Sequence, residues 1–436
     1  MTAPRVAIAT LGCKVNTYDS AVIAERLQRA GCMLVSESAP ADVVVVNSCT
    51  VTDAADAESR RVVRRARRDN PQARVILTGC YAQVRSSEAA SLDGVDRVIG
   101  LNRLDDLVAA VTRPAAVVDR VAVSNSRRAT TVATFGARGF RGQTRAFLKV
   151  QEGCNLFCTF CIVPLARGAS RSLPPHTVLE EMKALAAAGF EEVVLTGVHL
   201  GGYGADLAPP RDLTWLMGAI IEQGLIARLR LSSIDPHEVS EPLVRLLATS
   251  PVACPHLHVP LQAGSDSVLH RMRRRNDTAL ARERLAMIRE LLPDAAIGTD
   301  LIAGFPGEDD AAFEATLAFL TDSPVTYAHV FPYSVRSGTT AAKLDGRVAT
   351  PLIVARARRL RTLAEAKRRA FAQRFDGAGA EILVEHSRDP GTGRLRGYSR
   401  NYLRALLEGP DDWRGRRIPT RLSVSSDGRV FAEADA

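Results

Sequence analysis

The sequence predicts a multidomain α/β protein that opens with a parallel sheet covered by helices and ends in a small β domain. Three observations carry this. The chain has 436 residues, about three times the ~150 of a typical domain, and 46% are hydrophobic, enough for several cores. Over the first hundred residues β-branched runs alternate with helical patterns, as in a parallel sheet with helices on both faces. From Glu381 onward the pattern changes to short β-like runs with turn signals such as Asp389-Pro390-Gly391 and Asp427-Gly428.

Taken in order, Val6 to Ala9 reads as a buried strand and Ser20 to Ala30 as an amphipathic helix. Val43 to Val46 is a second strand, Asp53 to Arg68 a helix and Val75 to Leu77 a third strand. Residues 112–143 lack sustained periodicity and read as a connection. Further on, Val193-Val194-Leu195-Thr196-Gly197 runs into a turn holding Gly201, Gly202 and Gly204, where backbone can approach a ligand. A strand-to-helix loop that needs glycine for its geometry reads equally well. Gly304-Phe305-Pro306-Gly307 follows the strand Ile297 to Ile302 in the same manner.

No apolar run approaches the ~18 residues of a membrane span, and Met1 to Gly12 lacks a signal-peptide pattern. Membrane, secreted and fibrous classes are set aside, and a cytoplasmic protein is expected. Fifty-seven Lys and Arg against 48 Asp and Glu give 57 − 48 = +9, which favours a polyanionic partner. Arginines crowd Arg60 to Arg68, Arg271 to Arg275 and Arg356 to Arg369, as phosphate grips or as salt-bridged helix faces. From Gly377 on, ten Arg and no Lys are interleaved with Tyr398, Tyr402 and Trp413, a composition suited to stacking on unpaired RNA bases.

Eight cysteines are too sparse for a disulfide scaffold in a chain this long. Cys154, Cys158 and Cys161 form a C-x3-C-x2-C array on one short stretch, which places three thiolates around one iron-sulfur cube. Three ligands leave one iron of a 4Fe-4S cluster open to bind and activate a molecule. A zinc knuckle would want a fourth ligand nearby, and no Cys or His lies between Cys161 and His176. Cys13, Cys49 and Cys80 each come shortly after one of the three predicted strands. Ligands of parallel sheets sit beyond the carboxyl ends of the strands, so these cysteines are expected to converge as a second three-thiolate site. Cys32 and Cys254, in apolar surroundings, read as core.

The array, with Phe160 before its last cysteine, resembles the radical S-adenosylmethionine (SAM) enzymes, and the upstream triplet narrows the likeness to the methylthiotransferases. It extends through Leu11-Gly12-Cys13-Lys14-Val15-Asn16, Asn47-Ser48-Cys49, Thr78-Gly79-Cys80, Arg167-Gly168, Pro260-Leu261-Gln262, Gly304-Phe305-Pro306-Gly307-Glu308 and Ser337-Gly338-Thr339. Leu173 departs from it, standing where relatives more often carry Arg.

The resemblance implies an N-terminal domain over residues 1–111 and, after the 112–143 connection, a partial (β/α) radical SAM barrel over 144–374. A small RNA-binding β-barrel of the TRAM type would complete the chain over 375–436. It implies two 4Fe-4S clusters: one on Cys154, Cys158 and Cys161 that cleaves bound SAM to a radical, and an auxiliary one on Cys13, Cys49 and Cys80 that serves sulfur transfer. Thr196, Gly197, Gly201 and Gly202 would hold the methionine end of SAM, and Gly304 the adenosine side. The implied partners are tRNA and an electron donor of unknown identity. The Lys14-Val15-Asn16 stretch looks like the branch acting on N6-threonylcarbamoyladenosine beside the anticodon. Rival readings are the isopentenyladenosine branch, a branch acting on a ribosomal-protein aspartate, and an RNA-binding iron-sulfur sensor.

Overall fold

A computed structural model describes residues 3–113, 119–134 and 142–435. The chain divides into two compact units, one of residues 1–138, 149–173 and 334–342, the other of residues 139–148, 174–333 and 343–436.

In the first unit, β1 (Arg5–Thr10), β2 (Met33–Val35), β3 (Val43–Ser48), β4 (Arg74–Thr78), β5 (Arg97–Ile99) and β6 (Val121–Ala122) form one sheet. Its order is β2-β1-β3-β4-β5-β6, and all pairs are parallel. β3 is buried along its whole length, which is why its sequence is an unbroken valine run rather than an alternation. The three predicted strands are β1, β3 and β4, while the shorter β2, β5 and β6 carried too few residues to show a period. Helix α1 (Lys14–Arg29) starts at Lys14 rather than Ser20, because its first turns bury the polar Asn16 along with Val15 and Tyr18. Helix α2 (Asp53–Asp69) is capped by Thr52, whose hydroxyl accepts from the Ala55 N–H at 3.1 Å. Within the expected 112–143 connection, residues 114–118 and 135–141 lie outside the described residues. The described remainder supplies β6 and a short turn at Ser126–Arg128, whose Ser126 hydroxyl donates to the Ala166 carbonyl at 2.8 Å. β7 (Arg145–Glu152) enters this unit with its second half and pairs antiparallel with β8 (Arg171–Ser172).

The second unit holds the first half of β7 and then β9 (Glu192–Gly197), β10 (Arg228–Leu231), β11 (His256–His258), β12 (Ala296–Ala303) and β13 (Tyr327–Pro332). β9 pairs with β10, β11 with β12 and β12 with β13, all parallel, and bridges at Leu229–Ala253 and Ser233–His258 carry the array from β10 to β11. Helices alternate with these strands, giving a partial (β/α) barrel. After the helix Thr350–Gln373, β14 (Gly379–Arg388), β15 (Leu395–Tyr398), β16 (Arg404–Leu407), β17 (Arg417–Val424) and β18 (Val430–Ala434) close a barrel in the order β14-β15-β16-β18-β17. Closure leaves no strand edge unpaired, and Ile382, Val384, Leu395, Leu407 and Leu422 fill its core. Among the described residues no helix is long and apolar enough to cross a membrane.

Candidate active site

Sheet topology gathers the three widely spaced cysteines. β1, β3 and β4 are neighbours, and the chain leaves the carboxyl end of each into a cysteine. Cys13 is the N-cap of α1, Cys49 follows β3, and Cys80 lies in the first turn of α3 (Gly79–Val84). β1 and β3 flank the point where the strand order reverses, the crevice in which open parallel sheets bind ligands. Cys13 is exposed, whereas Cys49 and Cys80 are buried. Burial pushes the Cys80 thiol up to about 12; Arg167 draws it back, and Cys13 and Cys49 add to the rise. Burial also raises Cys49, opposed by the Val51 and Thr50 N–H groups directed at its sulfur. The turns are tightly juxtaposed. Gly12 adopts φ +95°, and a Cβ there would stand 2.7 Å from Cys49 Sγ. Thiols with N–H donors and a guanidinium aimed at them fit a metal cluster, since an arriving cation deprotonates them and the donors then stabilise the thiolates.

Cys154, Cys158 and Cys161 lie, part-buried, on the loop between β7 and the helix Val163–Arg167. The Leu156 N–H stands 3.4 Å from Cys154 Sγ, the Cys154 N–H donates to the Gly168 carbonyl at 3.1 Å, and the Cys161 N–H to the Cys158 carbonyl at 3.0 Å. These bonds curl the loop, and Phe157 at φ +52° is left 48% exposed. The N–H donor at Cys154 suits a cluster ligand in the same way.

Both triplets belong to the first unit, and buried arginines hold them. Arg167 donates to Asn16 Oδ1 at 2.6 Å, Asp19 Oδ2 at 2.8 Å and Glu152 Oε1 at 2.9 Å. Lys149 donates to the other oxygens of the same carboxylates, Asp19 Oδ1 at 2.6 Å and Glu152 Oε2 at 2.5 Å. Burial works against the Arg167 charge, but Cys80, Glu152 and Asp19 together hold it firmly protonated. Arg336 makes a second clamp, donating to the Thr50 carbonyl at 2.6 Å, Asp53 Oδ1 at 2.5 Å and Asp56 Oδ2 at 2.8 Å. Its segment also reaches the other triplet's loop, through the Ala341 N–H to the Thr159 carbonyl at 2.8 Å.

In the second unit, Thr196 and Gly197 end β9, and Gly201 and Gly202 lie in the turn Leu200–Gly202. That turn is close to protein side chains. A Cβ on Gly201 would meet Glu238 Oε2 at 2.0 Å and one on Gly202 would meet His199 Nδ1 at 2.7 Å. His199 Nε2 stands 2.6 Å from Glu238 Oε1. Gly304 follows β12, and its N–H donates to Glu308 Oε1 at 2.9 Å, a carboxylate also held by Arg356 at 3.0 Å. Each group therefore lies at the carboxyl end of a barrel strand, Thr196 to Gly202 after β9 and Gly304 after β12.

Residues 5–100 match the uncharacterized protein family UPF0004, and residues 148–320 match the Radical SAM superfamily. The chain is 36% identical over 420 residues to the threonylcarbamoyladenosine tRNA methylthiotransferase MtaB of Bacillus subtilis, covering 96% of this chain and 93% of that protein. To the protein of that name in Aquifex aeolicus it is 38% identical over 381 residues, 87% of this chain and 92% of the relative. The chain belongs to the radical SAM methylthiotransferases. A tRNA-2-methylthio-N(6)-dimethylallyladenosine synthase of Methylacidiphilum infernorum is 30% identical over 452 residues, covering 98% of this chain and 94% of the relative. Among solved structures, the radical SAM methyltransferase TsrM from Kitasatospora setae shares the fold, with TM-score 0.56 at 15% identity over 76% of this chain and 75% of that one. Radical SAM membership carries a 4Fe-4S cluster and SAM as cofactors.

Several sequence expectations of this methylthiotransferase need correction. Of the two readings of the basic clusters, the salt-bridged one holds for Arg67 with Asp96 at 2.6 Å, Arg274 with Asp235 at 2.7 Å, and Arg356 with Glu308 and Asp310 at 3.0 and 2.6 Å. Tyr398 and Tyr402 do not present stacking faces for RNA. Their rings stack on each other at 5.0 Å, Arg145 covers Tyr398 at 4.6 Å, and His256 packs on Tyr402 at 4.4 Å. Leu173 is buried and its N–H donates to the Val150 carbonyl at 2.8 Å. Cys32 and Cys254 are buried as expected, and burial pushes the Cys254 thiol up to about 11. Asp19, Lys149, Glu152 and Arg336 were missed; the one available signal was the polar Lys149, Gln151 and Glu152 that follow the apolar stretch Ala146 to Leu148 of β7.

Proposed function

We propose that this chain transfers a methylthio group to C2 of N6-threonylcarbamoyladenosine next to the anticodon in tRNA, using SAM and two 4Fe-4S clusters. The observation that supports it best is the near full-length similarity to relatives named for that substrate, in a chain whose two cysteine triplets lie in one compact unit. Cys154, Cys158 and Cys161 hold one cluster with an open iron, and Cys13, Cys49 and Cys80 hold the other. Thr196, Gly197, Gly201 and Gly202 lie at the methionine end of SAM and Gly304 on its adenosine side. When bound, the clusters and SAM supply the radical and sulfur chemistry; the side chains position, shield and neutralise. The net charge of +9 steers the enzyme toward tRNA in the cytoplasm, and reduction comes from a donor of unknown identity.

The nucleoside is the point on which a test bears, since relatives named for dimethylallyladenosine match as well. Reconstituted enzyme, reductant and SAM are incubated with tRNAs bearing each modification, and the nucleosides are read by mass spectrometry. The 2-methylthio product is expected from the threonylcarbamoyl tRNA; product from the isopentenyl tRNA alone overturns the assignment.

A further inference from the structure

Asn16 has a place in the fold that the resemblance did not explain. It is completely buried, and its amide group meets all three turns that carry the remote cysteines. Nδ2 donates to the Leu11 carbonyl at 2.7 Å, just ahead of Gly12 and Cys13, and to the Ser48 carbonyl at 3.0 Å, just ahead of Cys49. Oδ1 lies 3.8 Å from Cys80 Sγ and accepts the Arg167 N–H at 2.6 Å. An amide offers two donors on one end and an acceptor on the other, and here every part is used. Aspartate at this position would face two carbonyl oxygens with no hydrogen to give.

Arg167 completes the device. It is 3% exposed, lies six residues after Cys161 in sequence, and donates at 2.6 Å to the same Asn16 Oδ1 that stands 3.8 Å from Cys80 Sγ. Around it two cations, Arg167 and Lys149, balance two carboxylates, Asp19 and Glu152. Thiolates placed beside this balanced set meet the nearer guanidinium as a fixed positive charge. Such a charge in a low-dielectric surrounding favours the form of a cluster that carries one more electron.

We propose that Asn16 and Arg167 act as a positioning pair for the cluster on Cys13, Cys49 and Cys80, Asn16 fixing the three turns and Arg167 raising the cluster's reduction potential. This rests on the reading of that triplet as cluster ligands. It also gives Asn16 of the Lys14-Val15-Asn16 stretch a role at the cluster turns.

The test uses the full-length chain with Cys154, Cys158 and Cys161 replaced by Ala, so that the remote triplet alone binds iron. Iron content and a potentiometric titration followed by electron paramagnetic resonance are compared for this parent and for Arg167→Met, Arg167→Lys and Asn16→Asp. Arg167→Met is expected to keep its iron and be reduced only at more negative potential, Arg167→Lys to stay near the parent, and Asn16→Asp to lose iron. Should Arg167→Met fail to load, Arg167→Lys decides: iron and potential near the parent's support the charge role, and a shifted potential or empty protein overturns it. An unchanged potential in Arg167→Met, or full iron in Asn16→Asp, overturns the pair while leaving the ligand reading intact. A parent without iron overturns the ligand reading and the pair with it.

Discussion

On the proposed reading the two cysteine triplets meet one need, three thiolates for a cluster, by opposite routes. Cys154, Cys158 and Cys161 are neighbours along the chain; a curled loop suffices, and its sulfurs stay part-exposed. Cys13, Cys49 and Cys80 are brought together by the adjacency of β1, β3 and β4, and two of the three are buried. Their turns need a glycine where Cys49 presses, a buried amide across three carbonyl and sulfur atoms, and two arginine clamps. The local site is therefore robust to distant change. The remote site exists only while the parallel sheet is intact, so its metal content should report on the fold of the first unit.

The sharpest way to break this comparison is to delete each site. Reconstituted enzyme should hold about eight irons, falling to about four with either triplet replaced by Ala. Loss of Cys154, Cys158 and Cys161 should abolish reductive SAM cleavage, whereas loss of Cys13, Cys49 and Cys80 should spare it and abolish methylthio transfer. Full iron in either variant refutes the ligand assignment.

Next in size is Arg336→Ala. It strips the buried Asp56 of its partner, and breaking such a pair costs about 3–5 kcal/mol. Hydrogen exchange of β3 and α2 should rise and the remote triplet's iron should fall; unchanged exchange would show that the clamp carries no stability. Gly12→Ala is milder. The left-handed backbone costs about 1–2 kcal/mol, and the added methyl displaces Cys49 Sγ. Iron at the remote site should drop while SAM cleavage persists, and equal loss of both activities would count against the separation of the sites. Smallest are Cys32→Ala and Cys254→Ala, each expected to lower stability by about 1 kcal/mol with iron content unchanged. A loss of iron in either would expose a ligand outside the two triplets.

How much could be read in advance followed from the range of the interactions. The array at Cys154 to Cys161 was legible because its geometry is carried by seven peptide bonds. The remote triplet was legible one step further, because strand periodicity places residues at a known edge of a parallel sheet. Helix α1 began earlier than periodicity suggested because Asn16 is a buried polar residue, invisible to a hydrophobic pattern and satisfied by groups remote in sequence, the Ser48 carbonyl and the Arg167 guanidinium, as well as by the Leu11 carbonyl.

By itself, then, the sequence determined the alternation of elements, the two sets of three thiols and the change to a β domain near residue 380, all of which rest on local pattern and covalent spacing. The use of the charges and aromatic rings was decided by tertiary structure alone. Arg336 finds Asp56 from 280 residues away, Arg228 finds the Glu381 carboxylate 153 residues on, and Tyr402 closes on His256 rather than on a base. Burying a guanidinium or a phenol is tolerable only beside a partner. Which partner arrives depends on how strands and helices pack across the whole chain, a fact that no window of sequence contains.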